Sequence, residues 1–276
     1  MKSLEGKVAI ITGGSEGIGK GIAKALAQNG VYVYLIARTQ EKLEAAQKEI
    51  EAAGGRAEIR SADITDIGAM KEIIECVYND NGHLDIFVNN AGTWKGQSLD
   101  TPFADIWELI ELDMKAPYEL TYYLVSKFKG KKENNLKILT VASQAALEVM
   151  DSGLGYGPAK MGLTAGLFHI EEELQKKGIE NIKLYRLYPN TVATEKMMNA
   201  IRANQVQYPV KLESVVDAAV DLLLDKTPTR DVRIGFYPGK GIVRTYLPSN
   251  SNDFYHPAKK TEEVVDSSFT PQDLLK

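Results

Sequence analysis

Short runs of aliphatic residues alternate along this chain with stretches in which apolar residues recur every three or four positions. Val8-Ala9-Ile10-Ile11 is continuous and apolar and ends at Thr12-Gly13-Gly14, which predicts a buried strand followed by a turn. Ile18, Ile22, Ala25 and Leu26 then share one helical face up to Asn29, and Gly30 supplies the stop. Residues 31–36 predict a second strand, and residues 40–53 a polar helix closed by Gly54-Gly55. The same alternation predicts strands over 57–61, 84–88, 137–141 and 182–187. Helices are predicted over 67–78, 103–127 (with a kink at Pro117), 157–177 and 212–224. Residues 232–236 read as the last strand.

Apolar strands separated by helices predict a parallel sheet covered on both faces and wound by right-handed crossovers. No repeat or Pro/Gly-rich linker divides the chain, so residues 1–244 read as one domain. From Thr245 the character changes: the segment is polar and carries Pro248, Asn250, Asn252, Pro257 and Pro271. Residues 245–276 therefore read as a tail lying on the surface or on a neighbouring subunit.

Composition narrows the function. The 276 residues are 44% hydrophobic and 25% charged, enough for a core of useful size. A formal net charge of −4 gives a nucleic-acid partner no electrostatic support. With Cys76 as its one cysteine, the chain can form neither an intramolecular disulfide nor a cysteine-based metal site. His83, His169 and His256 lack metal spacing, so no metal is expected. Residues 1–7 lack a signal-peptide apolar stretch, and the longest apolar run, 31–37, is too short to span a bilayer. The expectation is a soluble, cytoplasmic protein.

Thr12-Gly13-Gly14-Ser15-Glu16-Gly17-Ile18-Gly19 joins the first strand to the first helix. Gly13 permits a sharp turn, Gly17 lets backbone approach a pyrophosphate, and Gly19 lets the helix pack closely. The helix N-terminus offers free N–H groups to that anion. The second strand ends Leu35-Ile36-Ala37-Arg38-Thr39 with no carboxylate for a ribose hydroxyl. Arg38 suits a 2′-phosphate, which favours NADP over NAD, although Glu16 places an opposing charge in the same loop. Asp63, before Ile64, can accept from an adenine amino group or cap the next helix.

Tyr156 and Lys160 stand four apart on a predicted helix and share a face. A neighbouring ammonium stabilises a phenolate and brings the tyrosine toward acid–base work. Ser143, just past the 137–141 strand, can donate to a developing oxyanion.

With these residues in place, the chain over about 7–236 resembles the short-chain dehydrogenases/reductases. The residues carrying the resemblance are Thr12-Gly13-x-x-x-Gly17-x-Gly19, Asp63, Asn89-Asn90-Ala91-Gly92, Ser143, Tyr156-x-x-x-Lys160 and Pro189-x-x-Val192-x-Thr194. It implies an α/β, single-domain, Rossmann-type doubly wound sheet. It implies an NADP(H)-dependent oxidoreductase interconverting a carbonyl and a secondary alcohol, with Tyr156 as general acid and base and Ser143 orienting the substrate oxygen. Lys160 would bind the nicotinamide ribose and tune Tyr156. Asn90, Ala91 and Gly92 would flank the cofactor, and Pro189, Asn190, Val192 and Thr194 would line its carboxamide. Residues 195–210 would form a substrate lid whose Met197, Met198, Ile201, Val206 and Tyr208 suit a substrate with an apolar part. A homodimer or homotetramer is implied, with the long helices at the interface.

Two positions depart from the family pattern. Asp113 stands where the family usually has an asparagine that holds a water near the lysine, and Asn190 replaces a glycine. Asparagine tolerates left-handed angles. Asp113 also supports a rival reading, a catalytically weak NADP-binding regulator on the same fold. Among the rest, Trp94 reads as a substrate contact or a packing residue, and Trp107 lies on the long helix. Glu171-Glu172-Glu173 reads as a solvated helix face, and Cys76 as a small buried hydrophobe.

Overall fold

Alternate side chains of the apolar strands go to opposite faces of one sheet, and each face finds its own helices. In the computed structural model, which describes residues 4–131, 133–151, 153–203, 205–206, 208–250 and 261–275, Ala9 and Ile11 of β1 (Val8–Thr12) pack on one side. There they meet Ile22 and Leu26 of α1 (Gly17–Gln28), Leu43 and Ile50 of α2 (Gln40–Ala52), and Val215 and Leu222 of α7 (Leu212–Leu223). Val8 and Ile10 pack on the other side, against Met70 and Ile74 of α3 (Ile67–Asn81), Leu120 and Leu124 of α5 (Ala116–Phe128), and Leu163 and Leu167 of α6 (Tyr156–Lys176). The double winding expected from the strand pattern is what forms.

The remaining strands are β2 (Tyr32–Ala37), β3 (Arg56–Ser61), β4 (Ile86–Asn89), β5 (Leu136–Val141), β6 (Ile182–Pro189), β7 (Asp231–Tyr237), β8 (Gly241–Leu247) and β9 (Thr261–Asp266). Their order is β3-β2-β1-β4-β5-β6-β7-β8-β9, parallel through β7 and antiparallel beyond it. The strand order reverses between β1 and β4, which leaves a crevice at their C-terminal ends where ligands of such sheets bind.

Residues 232–236 are thus not the last strand. Pro238-Gly239-Lys240 turns the chain back into β8, whose Ile242, Val243 and Leu247 are buried. β8 runs across position 245, and the polar segment beyond it adds β9 to the edge of the sheet. Asn252, His256 and Pro257 lie outside the described residues.

The long helix begins as α4 (Phe103–Ile110), widens into one π turn over Glu111–Lys115 and continues as α5. Pro117 accounts for the wide turn, because it has no N–H to return to the carbonyl of Asp113. α6 is tied to the sheet by Arg186 of β6, fully buried against the Phe168 ring at 3.9 Å. Arg186 pairs with Asp231 (2.5 Å) and with Glu171 of α6 (2.7 Å). Glu171 also takes Arg230 at 2.5 Å. It is therefore buried and not part of a solvated face, whereas Glu172 and Glu173 stay outside and pair with Lys176. The inward stripe of α6 passes through positions 160, 163, 164, 167 and 171 and misses the next two. Cys76 is exposed and not buried, because Met70, Ile74 and Val77 take the inner face of α3. Among the described residues, no helix is long and apolar enough to cross a membrane.

Candidate active site

The crevice is built on hydrogen bonds that join β1 to β4. Thr12 Oγ1 donates to Val88 O (3.0 Å) and accepts from the N–H groups of Asn90 (3.0 Å) and Ala91 (3.1 Å). Asn90 Nδ2 returns to Thr12 O and Gly13 O, so the glycine loop and the end of β4 hold each other. Gly13 and Gly17 adopt φ of 64° and 55°, and a methyl on Gly19 would lie 2.2 Å from Gly13 O. Ser15 and Ile18 are half-buried between them, and Ile18 packs on the core. No side chain caps the N-terminus of α1, and no acid stands in its first turn. Its leading N–H groups lack a side-chain partner, which is the chemistry that suits a pyrophosphate.

Arg38 extends from the end of β2 with its side chain 74% exposed, 3.7 Å from Asp63. Asp63 accepts from Thr65 N and Oγ1, and these bonds and Arg38 outweigh partial burial to lower its pKa. The helix cap is Asp66, whose carboxylate accepts from Ala69 N, which removes the capping role considered for Asp63. Ile64 is buried beside it. Glu16 is paired with Lys42 at 2.6 Å, so its charge does not face the crevice uncompensated. Nothing in the strand pattern singled out Lys42, since the pair forms only when α2 packs beside the loop.

Tyr156 is the first residue of α6. Lys160 Nζ lies 5.5 Å from the Tyr156 ring centroid and 2.8 Å from Asp113 Oδ1. Both members of this ion pair are buried, with side-chain exposures of 6% and 0%. Burial opposes the Lys160 ammonium, but Asp113 and Tyr156 overcome it, and the Lys160 pKa is raised. Asp113 Oδ2 also accepts from Thr93 N (3.1 Å). Gly92 leaves room for the pair, since a methyl there would lie 2.4 Å from Asp113 Oδ1. The π turn is what aims Asp113 inward. Its place along the long helix is secured by Asn89, which donates to Thr121 Oγ1 (2.9 Å). Ser143 is buried at the end of β5, and its Oγ accepts from Ala145 N. That acceptor role leaves the hydroxyl proton available to a substrate oxygen.

Past β6, Pro189 ends the strand and Asn190 N donates to Ile234 O (2.9 Å). Asp225 is the one non-glycine residue with positive φ among the described residues, so Asn190 needs no left-handed backbone. Val192 bridges to Val210 and closes the base of the 195–210 segment. Thr194 stands over the glycine loop, with its Cγ2 3.3 Å from where a Gly17 methyl would be. At the other end of that segment, Tyr208 stacks on Phe236 (6.2 Å), and Phe236 meets the buried Phe269 edge-on (5.8 Å). Lys211 pairs with Asp266 at 2.7 Å. Trp94 and Trp107 are both exposed, and Trp107 stacks on Phe103.

The short chain dehydrogenase family matches residues 7–205. A fatty acyl-CoA reductase of Acinetobacter baylyi is 30% identical over 252 residues, covering 89% of this chain and 81% of its own. A 3-oxoacyl-[acyl-carrier-protein] reductase of Thermotoga maritima is 28% identical over 200 residues, covering 72% and 80%. Among solved structures, a metagenomic short-chain oxidoreductase in complex with NADP superposes with a TM-score of 0.69 at 30% identity, over 84% of this chain and 98% of that one. A 7α-hydroxysteroid dehydrogenase with NADH and 7-oxo glycochenodeoxycholic acid gives 0.72 at 26% identity, over 80% and 88%. The chain belongs to the short-chain dehydrogenase family of oxidoreductases.

Proposed function

We propose that this protein is an NADP(H)-dependent oxidoreductase that interconverts a carbonyl and a secondary alcohol, with Tyr156 as general acid and base. The observation that carries the reading is the buried Lys160 ammonium, 5.5 Å from the Tyr156 ring, in a crevice that also holds the uncapped N-terminus of α1. A bound nicotinamide dinucleotide supplies or accepts the hydride. The chain handles the proton: Tyr156 Oη gives it to the carbonyl oxygen in reduction and takes it in oxidation. Lys160 Nζ lies 5.5 Å from the Tyr156 ring and Tyr156 stands at the positive end of α6, so both lie beside the group that moves the proton. Ser143 donates to the same oxygen and holds it in line.

The α1 N–H groups around Gly17, Ile18 and Gly19, with Gly13, Ser15 and Glu16, would hold the pyrophosphate. Arg38 would take the 2′-phosphate, and Asp63 and Ile64 would meet the adenine. Asn90, Ala91 and Gly92 would lie along the nicotinamide half, Lys160 would bind its ribose, and Pro189, Asn190, Val192 and Thr194 would meet its carboxamide. A relative solved with NADP supports the phosphorylated cofactor, and one solved with NADH marks the alternative. The substrate is a carbonyl compound with a large apolar part. The methionines of the 195–210 segment support this, and so do relatives named for fatty acyl, 3-oxoacyl and 7-oxo steroid compounds.

The test combines NADPH oxidation over a panel of long-chain aldehydes, ketones and oxo-steroids with cofactor titration of Arg38→Ala. Loss of the charged contact is expected to weaken NADPH about 10- to 100-fold and leave NADH unchanged. Equal affinity of wild type and variant for NADPH would defeat the cofactor assignment. Tight NADPH binding without turnover of any carbonyl would favour a regulator, the reading that Asp113 supports.

A further inference from the structure

Gln97 is a neutral polar side chain in the connection between β4 and α4, and it is only 5% exposed. Trp94 and Leu99 on either side of it face solvent. Burying an amide is unfavourable unless both of its ends are bonded, and here both are. Gln97 Oε1 accepts from the N–H of Gly155 at 2.7 Å, and Nε2 donates to Asp105 O in the first turn of α4 at 3.4 Å. Gly155 immediately precedes Tyr156 and carries no capping side chain of its own. A methyl on Gly155 would lie 2.8 Å from Gln97 Oε1 and 3.0 Å from Ile106 O, so the backbone must be bare for the contact to close.

We propose that Gln97 is a positioning residue for Tyr156: its amide caps the first turn of α6 from outside and fixes where the phenol stands. The turn needs such an anchor. Gly153, Gly155 and Gly157 surround Tyr156, and ordering glycines costs more backbone entropy than ordering any other residue. Helix ends fray, and the Lys160–Asp113 pair grips α6 only one turn further in. Tyr156 therefore sits between two anchors, one polar contact before it and one ion pair after it. The same amide links the backbone before Tyr156 to α4, so the start of the long helix and the first turn of α6 are held in one register.

This inference rests on the reading of Tyr156 as acid and base, and its test separates the two. Gln97→Met keeps the length and removes both hydrogen bonds, and Gln97→Glu keeps the acceptor oxygen. Three measurements are made on wild type, both variants and Tyr156→Phe: amide hydrogen exchange of the segment around residues 153–160 with NADPH bound, the NADPH Kd, and kcat with a carbonyl that wild type reduces. In Gln97→Met, exchange at Gly155 and Tyr156 rises about tenfold or more and kcat falls about tenfold or more, while NADPH Kd stays within about twofold. Gln97→Glu, which keeps the acceptor for Gly155 N–H but sets a carboxylate oxygen against Asp105 O, falls between wild type and Gln97→Met in exchange at Gly155. Unchanged exchange at Gly155 and Tyr156 in Gln97→Met overturns the proposal. So does wild-type kcat in Gln97→Met. Equal turnover by wild type and Tyr156→Phe would instead defeat the catalytic reading, and the exchange data would still decide whether Gln97 holds the turn.

Discussion

A carboxylate at position 113 changes what Lys160 can do. Four-residue spacing made the neighbours Tyr156 and Lys160 legible in the sequence, but the ion pair was not, because it depends on a wide helical turn facing α6. Glu171 and Cys76 depart from the sequence expectation for another reason: one position of difference on a helix decides between core and solvent. Asp113→Asn keeps the volume and an acceptor for Thr93 N–H but removes the charge. It leaves a buried ammonium unpaired and is expected to cost about 3 kcal/mol of stability at neutral pH, read from urea unfolding. The pH dependence follows from the raised Lys160 pKa. The pair's stabilisation is complete below the ordinary lysine value of 10.5 and is lost as pH rises through the higher folded value. Wild type should therefore lose this contribution only in strong alkali. The gap to Asp113→Asn should be widest near neutral pH and narrow as alkali removes first the variant's unpaired ammonium, which burial destabilises, and then that of the wild-type pair. A gap that opens with rising pH would contradict the assignment.

Among the elements, β8 was within reach of the sequence: Pro238-Gly239-Lys240-Gly241 is a turn signal, and a β-branched run follows it. The polar character of the following residues hid it, along with the use made of Phe269. That ring is buried against Phe236 and beneath Lys211 at 4.7 Å, and Phe236 in turn carries Tyr208. The C-terminal segment thus braces the far end of the 195–210 segment. Phe269→Ala is expected to destabilise by about 3 kcal/mol and to raise KM for an apolar substrate. NADPH affinity should hardly move, because the phosphate loop lies on other elements. If Phe269→Ala alters NADPH affinity as much as KM, the segment does not act through residues 195–210.

The whole molecule is built on one nine-stranded sheet, with the candidate site at the crevice between β1 and β4 and the charged β9 at one edge. The doubly wound core was legible because buried parallel strands read as continuous apolar runs, and the six family motifs fell in order along it. What stayed hidden was the antiparallel end, since β9 is short, charged and paired through Lys240–Glu262 and Tyr246–Glu263 contacts. Such charges keep an exposed edge from pairing with other chains. Truncation after Lys240 would bare the edge of β7 and its apolar neighbours. The truncated protein is expected to elute as aggregate in size-exclusion chromatography, and a monodisperse, NADPH-binding product would show that β8 and β9 are dispensable.

The central claim is that Tyr156 moves the proton. Its most direct test is kcat for carbonyl reduction by wild type and Tyr156→Phe, with NADPH Kd measured on both. The account predicts a fall in kcat of about 10²- to 10⁴-fold, the share that a general acid supplies, with NADPH Kd essentially unchanged. A Tyr156→Phe protein that retains wild-type kcat while binding NADPH normally would contradict it.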